Sequence, residues 1–82
     1  MPDLEGLCLL DGVCRRQYRV VRVCAEETQK RRLKLFGIYE GSRIKIERKR
    51  RKRGSLVVRA QNSRIAMGPS IAEKIMVLEE IT

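Results

Sequence analysis

The spacing of hydrophobic and polar positions changes period several times along the chain, and each change marks an element. From Tyr18 to Cys24, β-branched and aromatic residues are interleaved with Arg19 and Arg22, which fits a strand better than a helix. Glu26-Glu27-Thr28 then opens a run of good helix formers, Gln29 to Phe36, with its acidic residues where a helix N-terminus favours them. Leu33 and Phe36 share one face at i, i+3 and are assigned to the core. Gly37 follows a last turn rich in Lys and Arg and is the expected stop. After the turn Ile38-Tyr39-Glu40-Gly41 the period becomes two, with Ile44 and Ile46 on one face and Arg43, Lys45 and Glu47 on the other, a half-buried strand.

Gly54 is followed by a second β run, Ser55 to Ala60, so the pair forms a hairpin whose tip is Arg48-Lys49-Arg50-Arg51-Lys52-Arg53. Asn62-Ser63 supplies the next turn, Arg64 to Met67 a third strand, and Gly68-Pro69-Ser70 a break. Ser70 is placed as the cap of one helical turn through Glu73, before a closing strand from Lys74 to Leu78. Residues 1–16 are poorly patterned, and Leu9-Leu10-Asp11-Gly12 reads as an apolar lead-in ending in a turn.

The predicted fold is mostly β. It is a small SH3-like barrel of about five strands, with a short helix after the first strand and one helical turn before the last, closed to dispose of its sheet edges. The 82 residues admit one domain, 1–82 with its core at about 18–78, and exclude large α/β enzyme folds.

Charge changes the picture more than size does. Nineteen Lys and Arg against ten Asp and Glu give a formal +9, which calls for an anionic partner. Eight of the eleven residues from Arg43 to Arg53 are basic and one is acidic, so most of the net charge sits at the hairpin. Histidine is absent, which removes His-based triads and His-containing zinc motifs. No glycine-rich phosphate loop is present, because Gly37 and Gly41 lack the Lys-Ser/Thr that would follow. Nothing points to an enzyme.

Cys8, Cys14 and Cys24 are an odd number at irregular spacing, which fits a reducing cytoplasm. Together with an external ligand they are the candidates for a soft-metal site, although their spacing matches no ligand motif. Cys24, at the end of a strand, is read first as a small buried apolar residue. The short acidic beginning of the chain is unlike a secretory leader, and no apolar window reaches the ~20 residues of a membrane span.

Arg32-Leu33 followed by Gly37-Ile38, then Gly41 with the Ile44/Ile46 strand, Ile65-Ala66-Met67-Gly68, and Ala72 with Ile75 and Val77 resemble the pattern of the FeoA family. These are small companions of the bacterial ferrous iron transporter FeoB, with relatives among the C-terminal domains of iron-dependent repressors. The resemblance implies an SH3-like barrel in the cytoplasm, non-enzymatic, docking on the cytosolic part of FeoB and modulating it, with transition-metal binding as a family-level property. The contact surface is assigned to Arg32, Leu33, Gly37 and Tyr39 together with Arg48, Lys49, Arg50, Arg51, Lys52 and Arg53. The chain departs from the family in a longer stretch from Val13 to Gln17, in Tyr39-Glu40 where relatives often carry a proline turn, and in its basic hairpin tip. Other readings are a basic nucleic-acid-binding barrel, a metal-sensing domain related to the repressors, a peripheral contact with an anionic membrane, and a homodimer through an unsealed strand edge.

Overall fold

The computed structural model describes residues 6–61 and 63–80. The acidic lead-in residues Asp3 and Glu5, and Asn62 of the turn read from the sequence, lie outside that range. The chain runs β1 (Leu7–Cys8), a 3₁₀ turn (Leu9–Asp11), β2 (Gln17–Val23), α1 (Glu27–Leu35), β3 (Arg43–Lys49), β4 (Leu56–Ala60), β5 (Ser63–Met67), α2 (Pro69–Ala72) and β6 (Ile75–Glu79). All six strands join one antiparallel sheet in the order β1-β6-β2-β3-β4-β5. The sheet curls into a small SH3-like barrel around Tyr18, Val20, Ile44, Ile46, Leu56, Val58, Ile75 and Val77, all fully or almost fully buried. The hydrogen-bonded ring expected from the edge argument is not closed among the described residues, since the ladder ends at β1 and β5.

The lead-in does more than its pattern suggested. Leu9 and Leu10 are buried, and the two residues ahead of them form β1, which adds a strand to the expected five. At α2 the chemistry also differs from expectation. Pro69 occupies the first turn and Gly68 the cap position, with no side-chain cap bond, so Ser70 does not cap. Proline suits that place because its missing N–H would have no helical partner there.

Two β-bulges decide which side chains face inward. Val21 is the extra residue where β2 pairs with β6, and Glu47 is the extra residue where β3 pairs with β4. A bulge inserts one residue and therefore reverses the inside-outside alternation beyond it. Arg22 and Arg48 would point into the core without these bulges, and both are exposed with them. The same reversal turns Val23 inward and Cys24 outward, so Cys24 is exposed rather than buried.

Candidate functional site

Helix α1 ends in a Schellman motif. The Ile38 N–H donates to the Leu33 carbonyl at 2.9 Å and the Gly37 N–H to the Lys34 carbonyl at 2.9 Å, with Gly37 at φ +89°. The positive φ is why glycine is needed there. Ile38 closes over Leu33, and both are buried. The chain then turns through Tyr39-Glu40-Gly41-Ser42, where the Ser42 N–H donates to the Tyr39 carbonyl at 2.9 Å and Gly41 supplies φ +96°. Ser42, buried but polar, has its hydroxyl engaged by donating to the Tyr39 carbonyl at 2.8 Å and accepting from the Tyr39 N–H at 3.1 Å.

This firm backbone leaves apolar side chains in water. Leu35 is 82% exposed, Phe36 40% and Tyr39 37%, and the Gln61 amide donates to the Tyr39 hydroxyl at 3.3 Å. Phe36 is the helix C-cap and is exposed, because the buried face of the helix runs on from Leu33 to Gly37 at i, i+4 and Ile38 takes the core position. Beside Tyr39 lies a cleft of about 440 Å³ with Val23, Ile38 and Tyr39 on its walls and charges of both signs around it, Lys30, Arg31 and Lys34 with Glu27 and Glu40. Of the residues assigned from the sequence to the contact surface, Arg32 and Tyr39 are exposed, whereas Leu33 and Gly37 are buried and present nothing to a partner. Leu35 and Phe36 were missed, because the i, i+3 reading placed Phe36 in the core and gave Leu35 no role.

The hairpin tip is built differently. The β3–β4 ladder ends at Lys49 opposite Leu56, and the turn is held by the Arg50 N–H on the Ser55 carbonyl (3.0 Å) and the Gly54 N–H on the Arg51 carbonyl (3.3 Å). Beyond the Glu47 bulge Lys49 turns inward, and its ammonium donates to the Gly12 carbonyl at 2.6 Å. Arg53 forms an ion pair with Asp11. Arg48, Arg50, Arg51 and Lys52 are exposed, with no ion pair among the described residues.

On the outer wall of the barrel five arginines are paired with three glutamates. Glu47 bridges Arg59 (2.6 Å) and Arg64 (3.0 Å), Glu80 bridges Arg19 (2.9 Å) and Arg43 (3.2 Å), and Glu79 meets Arg16 at 3.3 Å. The hydrogen bond from Arg59, with the charges of Arg64, Arg59 and Lys45 around it, holds the Glu47 carboxyl below the usual carboxylate range against the opposing effect of desolvation.

The two parts of the surface assigned from the sequence therefore stand at opposite ends of β4. Gly37 and Tyr39 lie against Ala60 and Gln61 at one end, while the basic turn leaves from Leu56 at the other. Four residue steps of strand separate them, roughly 13 Å before the turn itself is added. A partner meeting both would have to span the whole length of β4.

The three cysteines do not converge. The Cys8 thiol donates to the Glu73 carbonyl at 3.2 Å, the Cys14 thiol lies 3.4 Å from the Glu47 carbonyl on β3, and Cys24 is placed by its N–H on the Lys74 carbonyl at 2.7 Å. No group of three His, Cys, Asp or Glu side chains able to hold a metal ion occurs among the described residues, so the donors present do not fit a resident transition metal.

The fold is that of a small SH3-like barrel with an exposed apolar helix end and a basic hairpin turn. A model of the FeoA domain matches residues 11–79, and the chain belongs to the FeoA family. An FeoA-like protein from Clostridium acetobutylicum is similar in structure at TM-score 0.79 and 21% identity, over 98% of this chain and 93% of that one. The FeoA protein from Chlorobium tepidum is similar at TM-score 0.80 and 25% identity, over 89% and 70% respectively. A manganese-dependent transcriptional repressor is similar at TM-score 0.83 and 21% identity, and 98% of this chain covers 45% of it. Below 25% identity such likenesses speak to the fold. A search of curated proteins gave no significant match to the sequence. No helix among the described residues is long and apolar enough to cross a membrane.

Proposed function

We propose that this chain acts as one non-enzymatic accessory domain of ferrous iron uptake, docking on the cytosolic part of a FeoB-type transporter through the end of α1. Family membership over residues 11–79 carries the reading. A further structural neighbour, similar at TM-score 0.79 and 19% identity over 90% of this chain and 97% of its own, is described as an iron uptake regulatory protein, FeoA.

What supports α1 as the docking element is its exposed apolar end. Leu35, Phe36 and Tyr39 are contiguous on a backbone fixed by the Schellman motif and the Gly41 turn, so a partner covering them orders little that is not already ordered. The cleft beside them carries both signs of charge, Lys30, Arg31 and Lys34 with Glu27 and Glu40, which can fix the register of a polar rim on the partner. Docking modulates the partner by binding one of its conformations better than another, while the chemistry of nucleotide hydrolysis stays in that partner.

The test is calorimetric binding of the whole chain to the purified cytosolic part of FeoB, compared with Leu35→Glu and Tyr39→Ala. The expected result is saturable binding weakened by both substitutions with folding unchanged. Equal affinity for all three proteins would remove the α1 surface, and no binding by any of them would remove the docking reading.

A further inference from the structure

The strongest feature left unused by that reading is the basic turn. Six consecutive residues, Arg48 to Arg53, are Lys or Arg, and four of them carry exposed charge with no carboxylate partner among the described residues. Elsewhere on the wall five arginines are held by three glutamates. Arg22 and Lys45 are also without an ion pair among the described residues, but they stand singly, whereas the unmatched charges of the sheet are densest at this one turn.

We propose that the β3–β4 turn is an electrostatic foot that adsorbs the domain on an anionic phospholipid bilayer. Clusters of four to eight Lys and Arg are of the size that binds anionic headgroups, and headgroups move laterally to meet charges fanned around a tight turn. A nucleic acid makes different demands. A single strand asks for aromatic stacking platforms interleaved with the basic residues, and residues 43–56 contain no Phe, Tyr or Trp. The chain's aromatics are Tyr18 in the core and Phe36 and Tyr39 at the other end of β4. A duplex asks for a positive track along which several phosphates are met in register, and the ion pairs of Glu47 with Arg59 and Arg64 interrupt that track next to the hairpin.

The turn has no exposed aliphatic wedge of its own, so attachment is peripheral and screened by salt. A barrel standing on this turn points Leu35, Phe36 and Tyr39 away from the lipid. The inference goes beyond the docking reading and is separable from it, because vesicles contain no transporter.

Co-sedimentation of the whole chain with phosphatidylcholine vesicles, with and without about 30% phosphatidylglycerol, tests it at moderate and high salt. Binding is expected only to the anionic vesicles and is expected to be lost at high salt. Arg50→Gln, Arg51→Gln and Lys52→Gln together are expected to lower partitioning by about a hundredfold. A charge-matched control, Lys30→Gln, Arg31→Gln and Lys34→Gln, is expected to lower it much less. Thermal unfolding of each variant establishes that it is folded. Three results overturn the inference: no preference for anionic vesicles, an equal drop in the control, or tighter binding to a short random DNA duplex than to the vesicles at the same salt.

Discussion

At the Ala60 end of β4, Leu35, Phe36 and Tyr39 leave apolar surface in water on a backbone pinned by five hydrogen bonds around Gly37 and Ser42. At the Leu56 end, six basic residues crowd a turn closed by two. The first end is tied into the core through Leu33 and Ile38. The second contributes almost nothing to the core, and its like charges repel one another, an arrangement that burdens the compact state. One surface is shaped before a partner arrives and suits a specific protein contact. The other has charge without a fixed relief and suits a partner that is itself a smooth field of negative charge.

The largest effect that breaks this comparison is loss of what the two ends share. Ile46 is fully buried between them, and Ile46→Ala is expected to cost about 2–5 kcal/mol, read by urea or thermal unfolding, abolishing both activities together. Gly37→Ala is more local. The added methyl meets Ala60 Cβ at 3.4 Å, an ordinary contact, so the cost is that of the φ +89° backbone, about 1–2 kcal/mol, with amide exchange rising at the end of α1 and unchanged at the turn.

Leu35→Glu sharpens the comparison, since a residue so exposed is expected to leave stability within about 0.5 kcal/mol while weakening partner binding at least about tenfold. Glu47 gives a pH signature belonging to neither end. Its folded carboxyl is held below 4.5, so its contribution is present above that value and is lost as pH falls through the lowered one. Glu47→Gln is expected to be less stable than the native chain at neutral pH, with the difference shrinking as pH falls through the lowered value, as pH-dependent urea unfolding would read. Arg50→Gln, Arg51→Gln and Lys52→Gln are expected to have the smallest effect on stability, within about 0.5 kcal/mol, however large their effect on anionic surfaces.

The strands and the helix stop were legible because their signals are local. Alternation around Ile44 and Ile46, and a glycine after a basic helical turn, each have one simple structural solution. The short lead-in was not legible, since two residues are too few for a period and Leu9-Leu10 reads alike as a turn or a strand. The bulges were hidden by the assumption of unbroken alternation, although Arg22 and Arg48 at core parity were the signal. Of the residues assigned to the contact surface, Arg32, Tyr39, Arg48 and Arg50 to Arg53 are exposed, whereas Lys49 turns inward to Gly12. Phe36 reads as core from the sequence because i, i+3 from Leu33 fits a helical face as well as i, i+4 does, and the buried position is Gly37. That the two parts stand at opposite ends of β4 is supplied only by the fold.

The separation of the two ends is tested most directly by an NMR titration of the isotopically labelled chain with the purified cytosolic part of FeoB, at moderate and at high salt. The expected result is saturable shifts at Arg32, Leu35, Phe36, Tyr39 and Gln61 that survive salt, with the amides of Arg50 to Arg53 silent. Shifts confined to Arg50 to Arg53 and erased by salt would contradict the account.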